Sequence, residues 1–175
     1  MGCSDLTRGR LTSCKDAIGG LKSVYFIPDL IPTADITYGL DGQSVTTVAN
    51  TPAAFKYDLH LGNDLTQNVQ SSPENGTTYF EQVLSLTLKK LSAEDNVELR
   101  ELAYGYPTIL VEDNMGNYMF VGLTNGSDVT GGTAVTGAAM GDLNGYTLTF
   151  TANEPTYANF YTGDVNTDFT VTLGT

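Results

Sequence analysis

The chain has no tryptophan, one histidine, two cysteines and only eight lysines and arginines among its 175 residues. So few histidines and cysteines exclude most zinc, haem and histidine-dependent catalytic sites by count. Against these eight cations stand 20 aspartates and glutamates, which leave a net charge of −12. General nucleic-acid binders gain affinity by neutralising phosphates, so this balance argues against one. The composition favours a structural or binding protein.

Long apolar runs are also missing. No segment reaches the roughly 18 apolar residues that cross a bilayer, and the first residues lack the apolar stretch of a secretory signal. We therefore expect no membrane partner and no signal peptide. In a chain that is not exported, Cys3 and Cys14 are expected to be reduced thiols, with a disulfide bridge as the alternative.

Threonine and glycine are abundant, with 25 and 19 residues, while apolar residues make up 41% of the chain. This is the composition of a folded globular protein. A chain of this length buries about 70% of its unfolded surface when it folds. One domain can therefore form without a disulfide or a metal.

Positive charge is concentrated at the start of the chain, and residues 101–175 contain no lysine or arginine. The basic residues of the first segment are Arg8, Arg10, Lys15 and Lys22. We predict a basic N-terminal arm over residues 1–22 and a single β-sandwich domain over residues 23–175. The four cations are proposed as contacts to the acidic body of a neighbouring copy, an arrangement that builds rings or filaments. A solvated tail is the alternative.

Alternation of apolar and polar residues predicts β-strands along most of the chain. The predicted strands are residues 23–27, 34–38, 43–48, 53–61, 77–91, 108–112, 117–123, 145–151 and 168–173. The predicted fold is mainly β: an antiparallel β-sandwich or barrel with one flanking helix and long assembly loops.

The longest predicted strand, residues 77–91, exceeds the usual length of 3–10 residues. One of its faces carries Phe80, Leu84, Leu86 and Leu88. Such length is expected where a strand continues a sheet into a neighbouring subunit. We therefore predict that these four residues lie on an inter-subunit strand.

One helix is predicted at about residues 92–104, with Ser92 as its N-cap and Gly105 as the glycine after its C-terminal end. Two further stretches are rich in polar residues or glycine. Residues 62–76 form a polar loop or hairpin, and residues 124–144 form a glycine-rich loop that is open to proteases until assembly covers it.

The motifs that could carry chemistry are incomplete. Residues 132–137 have the glycine spacing of a phosphate-binding loop, but two alanines follow where lysine and serine or threonine are required. Residues 164–168 resemble the start of a calcium-binding loop, but Phe169 stands where the sharp turn needs glycine. His60 lies on the solvent side of a predicted strand, and no nucleophile-elbow sequence is present. We predict no catalytic, cofactor-binding or metal-binding residues.

The order of these features resembles the tail tube (major tail) proteins of tailed bacteriophages. A long strand leads into a capped helix, Pro107 and a hairpin turn at residues 113–116 follow, and the chain re-enters at residues 145–150 before Glu154-Pro155. The opening looks like the starts of virion proteins from phages of Bacteroidetes and marine bacteria. The residues that carry this second resemblance are Cys3, Leu6-Thr7-Arg8-Gly9-Arg10, Cys14-Lys15, Gly19-Gly20-Leu21-Lys22 and Tyr25-Phe26.

The resemblance implies a structural virion protein, with six copies in a ring and rings stacked into a hollow tube. It implies an inter-subunit sheet around the lumen, arms between rings, other phage tail proteins as partners, and assembly in the host cytoplasm. DNA would be passing cargo in an acidic lumen. The alternatives are a carbohydrate-binding or adhesive β-sandwich domain, or another virion part such as a head-decoration or head–tail joining protein. No enzyme is expected.

Overall fold

The computed structural model describes residues 9–12 and 14–174, so Cys3 and Arg8 lie outside the described residues. The strands are β1 (Leu21–Ile27), β2 (Ile36–Tyr38), β3 (Val45–Val48), β4 (Ala53–Asp58), β5 (Asp64–Ser72), β6 (Thr77–Lys89), β7 (Thr108–Asp113), β8 (Tyr118–Val121), β9 (Asp128–Val135), β10 (Gly145–Glu154), β11 (Asn159–Tyr161) and β12 (Thr170–Leu173). The helices are α1 (Ala93–Tyr104), α2 (Val165–Asp168) and a 3-10 turn at Thr33–Asp35.

The strands form two sheets. Sheet A has eight strands in the order β12-β4-β1-β7-β8-β11-β3-β2, and sheet B has four in the order β5-β6-β10-β9. Every pairing in sheet B is antiparallel, whereas sheet A includes the parallel pairs β11–β3 and β12–β4. The predicted mainly β, sandwich-like fold is confirmed. Sheet A keeps two edge strands, β12 and β2, so it does not close into a barrel.

One apolar core lies between the two sheets. It includes Val24 and Phe26 of β1, Leu84 and Leu86 of β6, and Phe150 of β10. Within β1 and within β6 the two side chains lie two residues apart, because every second residue of a strand points to the same face. Burying one such side chain stabilises the fold by about 1.5–3 kcal/mol, so this core holds the sandwich together.

A second core lies on the opposite side of sheet A. Ala54 of β4 and Val48 of β3 belong to it although these strands lie near opposite ends of the sheet, and Phe120 and Phe169 complete it. Sheet A therefore curls around this core. Both cores meet at β1, which is buried on both faces except at Lys22.

The stretch 62–76, predicted as a loop or a hairpin, forms a hairpin, and part of the predicted loop 124–144 is a strand. β5 occupies most of residues 62–76 and pairs with β6 as a hairpin, while β9 occupies eight residues of the predicted loop 124–144. The glycines of β9 led to the prediction of a loop, because glycine is uncommon in strands. A Cβ atom on Gly132 would lie 3.0 Å from both Leu148 Cδ2 and the Thr147 carbonyl oxygen. The missing side chain therefore lets β9 lie against β10.

Helix α1 begins where the sequence predicts. Ser92 Oγ accepts a hydrogen bond from the backbone N–H of Asp95 at 3.0 Å, as an N-cap does. The helix ends at Tyr104 and Gly105 follows it as predicted, but this glycine has φ −99° and ψ −179°, which is extended rather than left-handed backbone. The last predicted strand also starts late, because Asp168 belongs to α2 and β12 begins at Thr170.

The N-terminal extension, residues 9–12 and 14–20, contains no helix or strand and is exposed throughout. It contacts the domain at the turn between β7 and β8. There the Asn114 side chain donates to the Gly19 carbonyl at 2.8 Å, and the Asn114 backbone N–H donates to the Gly20 carbonyl at 3.2 Å. The domain proper therefore begins at Leu21, the first residue of β1, and Lys22 lies in that strand.

Candidate assembly interface

The outer strands of sheet B each leave one edge unpaired within the described residues. β5 pairs only with β6, and β9 pairs only with β10. Each edge strand carries a single charged residue, Asp64 in β5 and Asp128 in β9, and neither contains lysine or proline. Monomeric proteins commonly protect edges with those residues, because an open edge is a template for another strand. Sheet B therefore presents two long edges without lysine or proline, of which the β9 edge is interrupted by a β-bulge at Thr130.

The β5–β6 hairpin extends one of these edges beyond the body of the domain. β10 reaches along β6 only as far as Phe80, whereas β5 stays paired with β6 until Ser72 meets Thr77. The projecting part is a two-stranded ribbon in which Tyr79 is 44% exposed, and Val69, at its base, is 50% exposed. Isolated two-stranded ribbons are marginally stable in water, so contact with another surface would stabilise this one.

The face of sheet B that points away from sheet A is polar, and we call it the outer face. Its side chains are Asp64, Thr66, Asn68, Gln70 and Ser72 of β5, Thr77, Tyr79, Glu81, Val83, Ser85, Thr87 and Lys89 of β6, Thr147, Thr149, Thr151 and Asn153 of β10, and Asp128, Thr130, Thr133 and Val135 of β9. None of them is buried. Hydrogen bonds cross this face, as between the Thr130 and Thr151 hydroxyls at 2.9 Å. Three carboxylates and one lysine give it a net charge of −2.

The residues that were predicted for an inter-subunit strand lie inside the domain. Leu84 and Leu86 are 0% and 1% exposed in the core between the sheets, and Phe80 and Leu88 are half-buried on the same face. β6 has strands of its own chain on both sides, β5 along Thr77–Ser85 and β10 along Phe80–Lys89. The length of β6 therefore has an explanation within one domain, and the free edges belong to its neighbours.

Lys22, which was predicted for the arm, is engaged in its own domain. Its Nζ lies 2.6 Å from Glu112 Oε1, and Ser23 Oγ donates to Glu112 Oε2 at 2.6 Å. Burial favours a higher pKa for the Glu112 carboxyl, but the hydrogen bonds from Lys22 and Ser23 outweigh it and hold that pKa below its usual value. This ion pair ties β1 to β7.

The other predicted arm residues remain on the extension. Arg10 and Lys15 are exposed, and within the described part of the chain neither lies within ion-pair distance of a carboxylate. Cys14 is a free, exposed thiol. Arg8 lies outside the described residues.

The calcium-like segment 164–168 has a structural role. Asp164 caps α2 by accepting the backbone N–H of Asn166 at 2.9 Å. Asp168 turns into the core, where its Oδ2 accepts from the Val48 N–H at 2.8 Å and the Tyr161 hydroxyl at 2.9 Å. Burial first, and then this hydrogen bond, raise the pKa of Tyr161 above its ordinary value. No group of three or more His, Cys, Asp or Glu residues in the described ranges could hold a metal.

A small cavity of about 220 Å³ lies between α1 and sheet A. Phe26, Tyr57 and Leu102 line it, and Glu98 and Glu101 stand on its α1 side. It is smaller than the roughly 300–1,000 Å³ of typical small-molecule sites. Its size therefore suits one or two side chains better than a cofactor or a metabolite.

None of the helices in the described ranges is long and apolar enough to cross a membrane. His60 is exposed, and its carbonyl accepts a hydrogen bond from the Asn63 side chain.

No family model matches the chain, and neither a curated protein nor a solved structure matches it.

Proposed function

We propose that the chain is a structural virion protein whose copies join edge to edge through sheet B into rings, and that stacked rings form the tail tube of a tailed bacteriophage. The observation that carries this proposal is the pair of open edges, β5 and β9, on a single antiparallel sheet. A monomer would expose both edges to aggregation, whereas a closed ring would leave neither free.

The strand directions suit such a ring. Neighbouring strands of sheet B alternate in direction, and the sheet has four of them. The two outer strands, β5 and β9, therefore run in opposite directions. When a copy is rotated about a ring axis, its β5 lies antiparallel to the β9 of the copy before it. The sheet can then continue through a head-to-tail contact, which closes into a ring when the rotation is a whole fraction of a turn.

The outer face of sheet B suits the wall of a channel for DNA. It offers Asp64, Glu81 and Asp128 to the lumen against the single cation Lys89. A wall rich in cations would bind phosphates and hold the DNA back, whereas this one repels it weakly. The tail-tube resemblance supplies the number of six copies per ring, the other tail proteins as partners and the tail as location.

The alternatives use other features. A head-decoration or head–tail joining protein could use the same edges but would stop at single rings. A carbohydrate-binding domain would need exposed aromatic rings, for which Tyr104 and Tyr106 are 81% and 62% exposed. Tyr161, also near a strand end, is buried and bound to Asp168.

The test combines electron microscopy and mass measurement with edge-blocking variants. Val69→Lys places a charge on the β5 edge and Ala134→Lys places one on the β9 edge, both at exposed positions. Leu40→Lys, in the fully exposed turn before β3, is the matched control. We expect hollow tubes from the unaltered chain and from the control, and monomers from either edge variant alone.

A mixture of the two edge variants tests the pairing itself. Each variant keeps the edge that the other has lost, so the mixture is expected to form dimers that grow no further. Tubes from both edge variants, or a mixture that stays monomeric beside a control that assembles, would overturn edge-to-edge assembly. Single rings that never stack would favour the joining or decoration role.

A further inference from the structure

We propose that the cavity beneath α1, called the α1 pocket, receives the N-terminal extension of a neighbouring copy, with Leu11 inserted and Arg10 against Glu98 and Glu101. This inference rests on the proposed function, because it names the contact between copies that edge pairing leaves unspecified.

The α1 pocket combines an apolar floor with an acidic rim. Phe26, Phe55, Tyr57 and Leu102 supply the floor, and Glu98 and Glu101 supply the rim. Burial, followed by the charges of Asp95 and Glu98, raises the pKa of Tyr57. The pocket therefore lies in a negative field and would accept an apolar side chain next to a cation.

Helix α1 strengthens this field. Its carboxylates are Glu94, Asp95, Glu98 and Glu101, and its one cation is Arg100. The helix therefore carries a net charge of −3, and two of its carboxylates, Glu98 and Glu101, line the pocket. Val97 and Tyr104 add exposed apolar surface, at 49% and 81% exposure. The whole surface has the character of a receptor for a basic, partly apolar segment.

The N-terminal extension has the complementary chemistry. Leu11 is 93% exposed and Ile18 is 65% exposed, which leaves large apolar side chains without cover. Arg10 and Lys15 stand beside them, exposed and without an ion pair in the described part of the chain. An extended segment with cations and apolar anchors can dock where it finds carboxylates and an apolar cavity.

The extension and the α1 pocket lie at opposite ends of β1. The extension leaves the domain at the Leu21 end, where Asn114 binds Gly19 and Gly20. The pocket lies at the other end, beside Phe26 and Pro28. Six residues of strand separate Leu21 from Ile27, or about 20 Å at 3.3 Å per residue. A donor at one end and an acceptor at the other is the arrangement that a head-to-tail stack requires.

Disulfide trapping in the full chain tests the contact. The native thiols are removed by Cys3→Ser and Cys14→Ser, and Leu11→Cys is combined with Glu101→Cys. The matched control combines Leu11→Cys with Glu74→Cys, another exposed carboxylate, in the β5–β6 turn. Docking raises the effective concentration of the two thiols, so we expect mild oxidation to give a ladder of cross-linked oligomers at least about tenfold faster than in the control.

A charge swap tests the partner residues. Glu98→Lys is expected to slow trapping by about two- to fivefold, which is the effect of losing one exposed ion pair. When Arg10→Glu is introduced into the same chain, the charges are exchanged and the rate is expected to be restored. A fast intrachain disulfide without a ladder would overturn the proposal by placing the extension on its own domain. Trapping no faster than the control would overturn it as well.

The two proposals fail separately. Tubes in the micrographs without a ladder would reject the α1 pocket as the acceptor and keep edge pairing. A ladder from a protein that forms no rings, with edge variants that behave like the unaltered chain, would support the docking contact and reject the tube.

Discussion

Replacing Asp168 with alanine is expected to be among the most damaging single changes to this domain. The residue is 8% exposed, and its Oδ2 accepts hydrogen bonds from the Val48 N–H at 2.8 Å and the Tyr161 hydroxyl at 2.9 Å. Both donors are themselves buried, at 2% and 3% exposure. Alanine would leave them without a partner and out of reach of water.

The magnitude follows from these two bonds. A hydrogen bond to a charged group contributes about 1.5–3 kcal/mol to stability, so the loss of both predicts a free energy of unfolding lower by about 3–6 kcal/mol. Asp164→Ala, four residues earlier, removes an exposed cap of α2 and is expected to cost only about 1 kcal/mol. The difference between these variants isolates the effect of burial.

Urea unfolding followed by circular dichroism and tyrosine fluorescence measures both variants. In the double variant Asp168→Ala/Tyr161→Phe one of the two unpaired donors is gone, so about 1–2 kcal/mol of the loss should return. If Asp168→Ala cost no more than Asp164→Ala, or if Tyr161→Phe restored nothing, the reasoning from buried hydrogen bonds would be refuted.

Two further outcomes are expected. In the folded state the pKa of Glu112 lies below its usual 4.5. The stabilising contribution of this carboxylate is therefore full above pH 4.5 and is lost as the pH falls through the folded pKa. Thermal unfolding of Glu112→Gln should depend less on pH below 4.5 than that of the unaltered chain, and an unchanged dependence would contradict this. Protease cleavage in the predicted loop should be confined to residues 136–144, which follow β9, and should decrease on assembly. Asp142→Ala should make this cleavage faster, because Asp142 holds the loop by accepting hydrogen bonds from the backbone N–H groups of Ala138 and Ala139 at 2.9 and 2.8 Å. Equal cleavage of monomer and assembly would count against a place for this loop in an interface.

The elements that the sequence predicted well are those with one apolar and one polar face. Leu84 and Leu86 in β6 and Leu148 and Phe150 in β10 alternate strictly with polar residues, because they pack against sheet A from the middle of sheet B. The start of α1 was also predicted correctly, since the hydrogen bond that caps it joins Ser92 to Asp95, only three residues away. Local periodicity and local hydrogen bonds are the signals that a sequence displays directly.

The elements that escaped prediction lie at the edges of sheet B. β5 consists mostly of Asn, Gln, Ser and Thr, and β9 contains Gly131 and Gly132. Neither composition favours a strand when the sequence is considered alone. These strands form because β6 and β10 are already present as templates. The candidate assembly edges were therefore missed, while the long alternation of β6 drew attention to a strand that is central.

The burial of two acidic residues could not be predicted from the sequence either. Asp168 and Glu112 look like surface carboxylates in the sequence, yet they are 8% and 5% exposed. Their partners are 120 and 89 residues away along the chain, at Val48 and Ser23. Sequence spacing carries no information about such distant pairs until the topology is known.

The parallel pairing of β12 with β4 has a consequence for the order of events during synthesis. Thr170 pairs with Ala53, and Val165 and Phe169 complete the core that sheet A encloses. A nascent chain can assemble sheet B once residue 154 has left the ribosome, but it has to wait for residue 173 before sheet A is whole. Contacts of such long range form late. A chain whose translation stops between these two points would carry sheet B with its sticky edges on an unfinished body, so interrupted synthesis is where this protein is most exposed to misassembly.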